Sequence, residues 1–300
     1  MFRFIAVEKA HHSVKVMCRV LGVSRAGFYA WERRAPSDRD LADAWLTEKI
    51  RGIHEESKGT YGARRVHAEL RLAHDVRVGR KRVERLMALA GISGQPERRR
   101  RRTTVRLEGI RGAPDLVERD FNPTAPDRTW SADITYIRTW EGWLYLAHVQ
   151  DLFSRRIVGW AMTDHLRQEL VIDALQMAIS RRKPDSGVIH HSDKGSQYTA
   201  VLFTGRCKQA WITPSTGSKG DCFDNAVSES FHASLKKELI YRHTWPTRAE
   251  ARTAVFEYIE GWYNPRRRHS TLGYLSPADY ELQHHEHAAQ LPAARALLSV

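Results

Sequence analysis

Three carboxylate residues, Asp133, Asp193 and Glu229, lie at positions from which they could serve one chemical site. Asp133 lies inside an apolar stretch with the alternation of a β-strand, where a charged side chain needs an ion partner or a metal. Asp193 follows a short apolar run, and α/β folds place their ligands at the ends of strands. Glu229 lies in a helical pattern, off its apolar stripe. A strand, a strand end and a helix face could therefore build one acidic site.

Two of these carboxylates also have an ordinary structural explanation. Asp193 could begin a turn with Gly195, and Glu229 could be a solvated helix residue. Asp133 is the hardest to explain in this way, because it lies in the middle of a strand. The three positions taken together weaken the ordinary explanation, since each one suits a shared site.

The helix face that carries Glu229 has two further polar residues. Asn225 lies four residues before Glu229, and Lys236 lies seven residues after it. Residues at these spacings share one side of a helix. One face thus presents an amide, a carboxylate and an ammonium group to the same place.

The elements that must position these residues follow from hydropathy and turn residues. Strand-like segments at 130–137, 143–149 and 156–162 are separated by short gaps, which predicts an antiparallel meander. Helices and strands then alternate, with a helix at 169–182, a strand at 188–191, a helix at 200–210, a strand at 212–213, and helices at 225–240 and 248–263. This order is typical of an α/β fold.

The first 95 residues have the pattern of a helical, basic region. A short apolar stripe, a turn at Gly22 and a capping residue at Ser24 follow the order of a helix-turn-helix. Helices at 63–72 and 80–90 predict a second such unit. The latter helix leaves four basic residues for solvent or phosphate: Arg80, Lys81, Arg82 and Arg85. A helical bundle with a solvated basic face is the alternative interpretation.

Positive charge is concentrated in the first part of the chain. The formal net charge is +13, and residues 1–120 hold 27 basic against 16 acidic residues, whereas residues 121–300 hold 21 against 19. Five consecutive arginines, Arg98 to Arg102, lie in a proline-bearing stretch at 96–127 that predicts a linker. Clustered cations favour contact with a polyanion, and a merely solvated linker is the alternative.

Composition excludes several other classes of protein. No apolar run approaches the roughly 18–20 residues that cross a bilayer, and charge interrupts the first residues too early for a secretory signal. Three cysteines, Cys18, Cys207 and Cys222, are odd in number and lack a CxxC spacing. This usage fits a reducing cytoplasm. Nucleic acid is therefore the favoured polyanion, rather than an anionic membrane.

Several separated motifs resemble one known family. The segments are WSADITY at 130–136, HSDKGSQY at 191–198, Asp-Asn-Ala at 224–226 and Glu-Ser-Phe at 229–231. They resemble the catalytic core of DDE transposases and retroviral integrases, and the 35 residues between Asp193 and Glu229 match the gap of that family. The ending at 262–277 resembles OrfB of the bacterial insertion sequences with two overlapping reading frames, the IS-three group. His232 is a departure, since an aromatic residue often follows Phe231 in the family.

The resemblance implies a fold, a reaction and a cofactor. The fold would be a ribonuclease-H-like α/β core, a five-stranded mixed sheet with flanking helices, preceded by an all-α helix-turn-helix region. Asp133, Asp193 and Glu229 would hold two Mg²⁺ ions, with Mn²⁺ as a substitute. Water would be the first nucleophile and a DNA 3′-hydroxyl the second. Predicted DNA contacts, with surface solvation as the alternative for the basic residues and orientation of Glu229 as the alternative for Asn225, are Lys236, Asn225, Arg80, Lys81, Arg82, Arg85, Arg98, Arg99, Arg100, Arg101, Arg102, Arg266, Arg267 and Arg268.

The expected organisation is a DNA-binding region at 1–95, a linker at 96–127, a catalytic core at 128–282 and a tail at 283–300 that frays. Expected partners are insertion-sequence terminal repeats, target DNA, further copies of the chain, and an OrfA protein or frameshift fusion, with no membrane. The expected location is the bacterial cytoplasm at the nucleoid. A ribonuclease-H-like nuclease without strand transfer and a non-catalytic regulator of transposition remain as alternative functions.

Overall fold

The computed structural model describes residues 1–95, 115–117, 122–193, 195–216 and 226–297. Arg98 to Arg102 and Asn225 lie outside these ranges, so their DNA contacts stay predictions. Within the described ranges, no helix is both long and apolar enough to cross a membrane.

Three short helices open the chain: α1 (Phe2–Glu8), α2 (Val14–Val20) and α3 (Arg25–Glu32). They enclose a small apolar core formed by Ile5, Met17, Cys18 and Phe28. Gly22 joins α2 to α3 with a φ of +65°, in the left-handed region that glycine adopts at little cost. Ser24 caps α3, because its Oγ accepts a hydrogen bond from the Gly27 N–H at 2.9 Å. The predicted turn and capped helix are both present.

Three further helices form a second unit, here called the helical module: α4 (Asp38–Glu56), α5 (Ala63–Leu72) and α6 (Arg80–Leu89). A capping box between Ser37 and Asp40 begins α4. The three helices pack around apolar side chains that include Leu46, Ile50, Val66, Leu70, Val83, Leu86 and Met87. The predicted helices at 63–72 and 80–90 thus correspond to α5 and α6.

A mixed sheet of five strands forms the centre of the following part. Its strands are β1 (Thr129–Thr139), β2 (Gly142–Asp151), β3 (Ile157–Thr163), β4 (Ile189–Ser192) and β5 (Thr213–Thr216). Their order across the sheet is β3-β2-β1-β4-β5. The first three strands form the predicted antiparallel meander, and β4 and β5 add to it in parallel. The expected five-stranded mixed sheet is confirmed.

Helices cover both faces of this sheet. One face packs against α7 (Gln168–Arg182) and α8 (Val201–Gln209), and the other against α9 (Ala226–Glu238) and α10 (Arg248–Phe256). Because strand side chains alternate, Trp130 and Ala132 of β1 enter the α7–α8 layer, whereas Ile137 enters the α9–α10 layer. The two apolar layers therefore hold β1 in the middle of the core.

The predicted helix at 248–263 changes its winding part-way. After α10, residues Glu257–Tyr263 form a π-helix. Asn264 follows, and its side chain makes two hydrogen bonds of 2.9 Å with the backbone of Ile157, donating to the carbonyl and accepting from the N–H. The Asn264 side chain therefore attaches the end of the π-helix to β3.

The structure has a helix where the sequence predicts a frayed tail at 283–300. Helix α11 runs from Pro277 to Leu297. Glu281 anchors it to the core, since its carboxylate pairs with Arg182 at 2.9 Å and Arg156 at 2.7 Å. Alanine-rich composition favours a helix once such anchors hold its first turns.

Packing of α7 on β3 leaves no room for a side chain at Gly159. A Cβ there would overlap the Ala174 carbonyl oxygen and lie 2.7 Å from the Ala178 backbone nitrogen. We expect Gly159→Ala to lower the free energy of unfolding by roughly 1–3 kcal/mol, because the helix backbone must move away from the sheet. Urea denaturation measures the change.

Gly205→Ala is the matched control, because Gly205 lies within α8 with open space around it. Alanine there should stabilise the protein by about 0.5–1 kcal/mol through helix propensity. Equal effects at the two positions would contradict the packing described for α7 and β3.

Candidate active site

Strand pairing brings Asp133 and Asp193 to the same level of the sheet. β1 and β4 are parallel neighbours, with Ser131 opposite His191. Continuing this register by two residues sets Asp133 beside Asp193, which comes directly after β4. Both residues are two positions on from the last pair, so their side chains leave the same face of the sheet. The predicted strand-end position of Asp193 thus lies next to the mid-strand aspartate.

A buried hydroxyl pair attaches α9 to this part of β1. The Oγ atoms of Ser131 and Ser228 lie 2.5 Å apart, and both side chains are buried. Glu229 follows Ser228 and is exposed, whereas Phe231 packs into the core. The carboxylate is therefore on the solvent side of the helix, off the apolar stripe, at the edge of the β1–β4 junction.

The charges of Asp193 and Glu229 affect the pKa of Asp133. Burial, together with the negative charges of Asp193 and Glu229, raises the pKa of Asp133 to about 7. A hydrogen bond of 2.7 Å from the Ile134 N–H and the positive charge of Lys236 oppose the rise. The described residues therefore compensate only part of the negative charge around Asp133.

The carboxylates adjoin one another without forming a compact cluster. In the described part of the chain, no three side chains of His, Cys, Asp or Glu converge closely enough to hold a metal ion by themselves. Asp193 is instead turned toward its own loop, where its Oδ1 accepts a hydrogen bond of 3.0 Å from the Gly195 N–H. The turn that the sequence offered as an alternative role for Asp193 is therefore present, and the expected convergence within a few ångströms is absent at these side-chain positions.

Two histidines lie behind Asp133. His232 Nδ1 is 3.5 Å from Asp133 Oδ2, and His232 Nε2 is 3.1 Å from His148 Nδ1. His148 lies opposite Asp133 on β2, and its complete burial lowers its pKa to about 3. Sequence reasoning noted His232 only as a departure from the family pattern and missed His148. The only signal for His148 was a polar residue inside an apolar strand.

Tyr198 lies near the carboxylates of Asp133 and Asp193. Its hydroxyl is buried and has no hydrogen-bond partner among the described residues. Burial raises its pKa well above the usual value, and the charges of Asp133 and Asp193 add to the effect. The phenol therefore stays neutral beside the two carboxylates.

Lys236 lies on the same side of α9 as the site. Its Nζ is 5.0 Å from the centre of the exposed Tyr136 ring, and its charge lowers the pKa of Asp133. The predicted position of the ammonium group near the acidic site agrees with this geometry.

The basic face of α6 is partly neutralised within the helical module. Arg82 and Arg85 both bind the carboxylate of Asp43, at 2.7 and 2.5 Å. Arg80 pairs with a glutamate one turn further along the helix, at 3.2 Å. Lys81 is exposed. These arginines keep exposed edges, so phosphate contact stays a prediction for them.

The arginines at 266–268 have different environments, which corrects the expectation that all three face DNA. Arg267 is 4% exposed and binds Glu238 at 2.7 Å. Arg268 is 7% exposed and binds Glu69 of the helical module at 2.6 Å. Only Arg266 of the three is exposed. Acidic partners therefore engage two of these guanidinium groups, Arg267 within the core and Arg268 between the core and the helical module.

Comparison with known proteins agrees with this arrangement. Sequence models described as integrase core domain match residues 123–222 and 210–277, and an HTH-like domain model matches residues 40–102. Transposase InsF for insertion sequence IS3A of Escherichia coli K12 is 40% identical over 280 residues, covering 93% of this chain and 97% of that protein. The chain belongs to the IS3-type OrfB transposases. A second relative of this transposase, that of element IS629 from Shigella sonnei, is 38% identical over 91% of this chain and 93% of its own length.

Solved structures similar to this transposase come from retroviral systems. The catalytic core domain of BIV integrase is 21% identical, covers 54% of this chain and 99% of its own, and has a TM-score of 0.41. A chain of the simian T-cell lymphotropic virus intasome is 16% identical, covers 77% and 74%, and has a TM-score of 0.46.

The raised pKa of Asp133 makes the stability of the metal-free transposase depend on pH. An aspartate with a pKa near 3.9 in the unfolded chain and about 7 in the folded protein stabilises the fold fully below pH 4. That contribution is lost as the pH rises through 7, because the folded state then loses a proton it held tightly. We expect Asp133→Asn to raise the free energy of unfolding at pH 8 by about 2–4 kcal/mol and to leave it little changed at pH 4.

Urea denaturation with a chelator present, at both pH values, measures this change. The control is Asp173→Asn, which alters an exposed carboxylate on α7. Matching pH slopes for the wild type and the Asp133→Asn variant would show that Asp133 is not strained by its neighbours.

Proposed function

We propose that this transposase cuts DNA phosphodiester bonds at the ends of its element and joins the freed 3′-hydroxyl to target DNA, at a single site formed by Asp133, Asp193 and Glu229. The supporting observation is the partly buried Asp133, whose pKa is raised to about 7 beside two further carboxylates. Perturbed groups at the end of parallel strands are typical of catalytic sites. Family membership supports transposition as the process.

The donor chemistry of the three residues fits a hard divalent cation. All three are carboxylates, which are the ligands that Mg²⁺ prefers, and uncompensated negative charge at Asp133 would be relieved by a cation. We assign Asp133, Asp193 and Glu229 as the residues that would hold two Mg²⁺ ions, with Mn²⁺ as a substitute. When bound, such ions activate the attacking oxygen and neutralise the leaving oxygen. Holding them requires the Asp193 carboxylate to turn from its own loop toward Asp133.

The reaction proceeds by two displacements at phosphorus. In the first, a water oxygen forms a bond to phosphorus while the bond to the 3′-oxygen breaks, and that oxygen leaves as a 3′-hydroxyl. In the second, this hydroxyl attacks a phosphate of the target, so that one P–O bond forms and one breaks. No side chain has to form a covalent bond with DNA.

The residues of the chain position the reactants. The Ser131–Ser228 contact holds α9, and with it Glu229, against β1. Lys236 contributes positive charge near Asp133, where it would attract the phosphate of a bound DNA end. His232 lies 3.5 Å from Asp133 and is held by His148, which limits the rotation of both rings.

We further propose that helices α5 and α6 bind terminal repeats, that residues 1–95, 96–127, 128–282 and 283–300 are the functional divisions of the chain, and that it acts on the bacterial nucleoid. Pairing of two DNA ends requires more than one copy, so we propose a homo-oligomer. An OrfA partner or frameshift fusion would supply further DNA recognition.

Replacement of each carboxylate tests the catalytic assignment. We expect Asp133→Asn, Asp193→Asn and Glu229→Gln each to lower strand transfer by about 10³-fold or more, with DNA binding retained. Pre-nicked ends of the element that carries the gene and a supercoiled plasmid are the substrates. Glu257→Gln, which alters an exposed carboxylate of the π-helix, is the control.

Two results would contradict the proposal and favour another function. Hydrolysis of the ends without joined product in the wild type would indicate a nuclease without strand transfer. Unchanged transposition in vivo with Asp193→Asn would leave a non-catalytic regulator as the better description.

Thermal unfolding tests the cation assignment without measuring activity. A ligand that binds only the folded state stabilises it by about 1.4 kcal/mol at ten times its dissociation constant. We expect Mg²⁺ or Mn²⁺ to raise the Tm of the wild type and not that of Asp133→Asn. If both proteins respond equally, the ions bind elsewhere.

A further inference from the structure

A polar groove separates helix α5 of the helical module from helix α9 of the core. Its volume is about 600 Å³. Gly62, Ala63 and Arg64 line one wall, and Ser230, Ala233 and Lys237 line the other. We refer to it as the α5–α9 groove.

The α9 wall of the α5–α9 groove starts one residue after Glu229 of the candidate active site. Ser230 directly follows Glu229, and Ala233 and Lys237 continue along the same stripe of α9 at spacings of three and four residues. The distance from Ser230 to Lys237 along the helix axis is about 10 Å. A B-form strand has one phosphate per 3.4 Å of helix axis, so this length corresponds to about three consecutive phosphates.

Positive charge dominates the lining of the groove. Among the described lining residues, the charged side chains are four cations, Arg64, Arg65, Lys237 and Arg267, and one carboxylate, Glu238. Arg64 is exposed and Lys237 is partly exposed, so both are accessible from the groove. One acid cannot neutralise four cations, and the excess charge favours an anion.

At the base of the groove, basic groups also outnumber acidic groups. Glu238 pairs with Arg267 at 2.7 Å and with Arg65 at 3.5 Å, so two guanidinium groups share one carboxylate. Burial and the charge of Arg267 lower the pKa of Arg65. His269 also lines the groove, and burial together with the nearby arginines lowers its pKa well below the usual value. The histidine is therefore neutral, and the arginines are the source of the charge.

The uncharged lining also suits phosphate groups better than bases. Ser230, Ser270 and Thr271 provide hydroxyl groups, which commonly contact the DNA backbone. The phenol ring of Tyr263, which also lines the groove, is 2% exposed and cannot stack on a base. Contacts of this kind fix the path of a strand without reading its sequence.

We propose that the α5–α9 groove binds the phosphate backbone of one DNA strand next to the scissile phosphate and leads that strand from the active site to the helical module. The proposal rests on the proposed function, because it assumes that the DNA end occupies the acidic site beside Glu229. It adds a second contact surface, which sets the direction in which the bound strand leaves that site.

The double variant Arg64→Gln with Lys237→Gln tests this assignment. We expect about tenfold weaker binding of an element end and a salt-dependence slope that is smaller by about 2, since two phosphate contacts are lost. Strand transfer should fall at low DNA concentration and recover when DNA is saturating. The stabilisation by Mg²⁺ should be unchanged, because neither residue belongs to the acidic site.

The matched control is Lys183→Gln with Lys208→Gln, which removes the same charge from exposed positions at the end of α7 and on α8. A second measurement uses DNA in which the three phosphates next to the scissile one are replaced by neutral methylphosphonates. This replacement should weaken binding to the wild type about tenfold and have little further effect on the Arg64→Gln, Lys237→Gln variant.

Equal DNA affinity and salt dependence for the groove variant and the control variant would overturn the proposal. So would a methylphosphonate effect of the same size in the wild type and the groove variant. Retained DNA affinity with lost binding of the OrfA protein would assign the groove to a protein partner instead. Should the groove variant bind DNA weakly while the wild type joins no ends, the groove assignment holds and the proposed reaction fails.

Discussion

The candidate site depends on the partial burial of one carboxylate among like charges. Asp133 lies on the central strand of the sheet, next to the positions of Asp193 and Glu229, and the Ile134 N–H and the charge of Lys236 compensate its negative charge in part. Such a group costs free energy in the folded state. Two apolar layers on either side of β1 supply the stability that holds it there. A site that binds and transforms a charged substrate is commonly maintained at such a cost.

Much of the fold could be predicted because its signals are local. Alternating apolar residues define the meander, helical periodicity defines α5 to α9, and the serine cap of α3 is readable from its position after a glycine turn. The arginines show the opposite case. Arg267 and Arg268 look like any exposed basic run, and only the distant acids Glu238 and Glu69 cause their burial. Partners 29 and 199 residues away leave no local pattern.

The candidate site was predicted in its composition and not in its detail. Asp133 was identifiable because a charge inside an apolar strand requires an explanation. The contact of His232 with His148 depends on strand register and helix packing, which combine residues 84 positions apart. The orientation of Asp193 toward the Gly195 N–H is likewise a property of a turn that sequence alone left open beside the metal-binding role.

The ion pairs between the helical module and the core have a consequence for exchanging segments between related transposases. Arg65 and Glu69 of α5 meet Glu238 and Arg268 of the core, and Glu238 and Arg268 are buried. Removing the partner of a buried charge leaves that charge uncompensated, which destabilises the folded protein. A chimaera that combined the helical module of one relative with the core of another would therefore mismatch charges where the two meet. An exchange of segments would preserve these ion pairs only if α5, Glu238 and Arg268 were exchanged together.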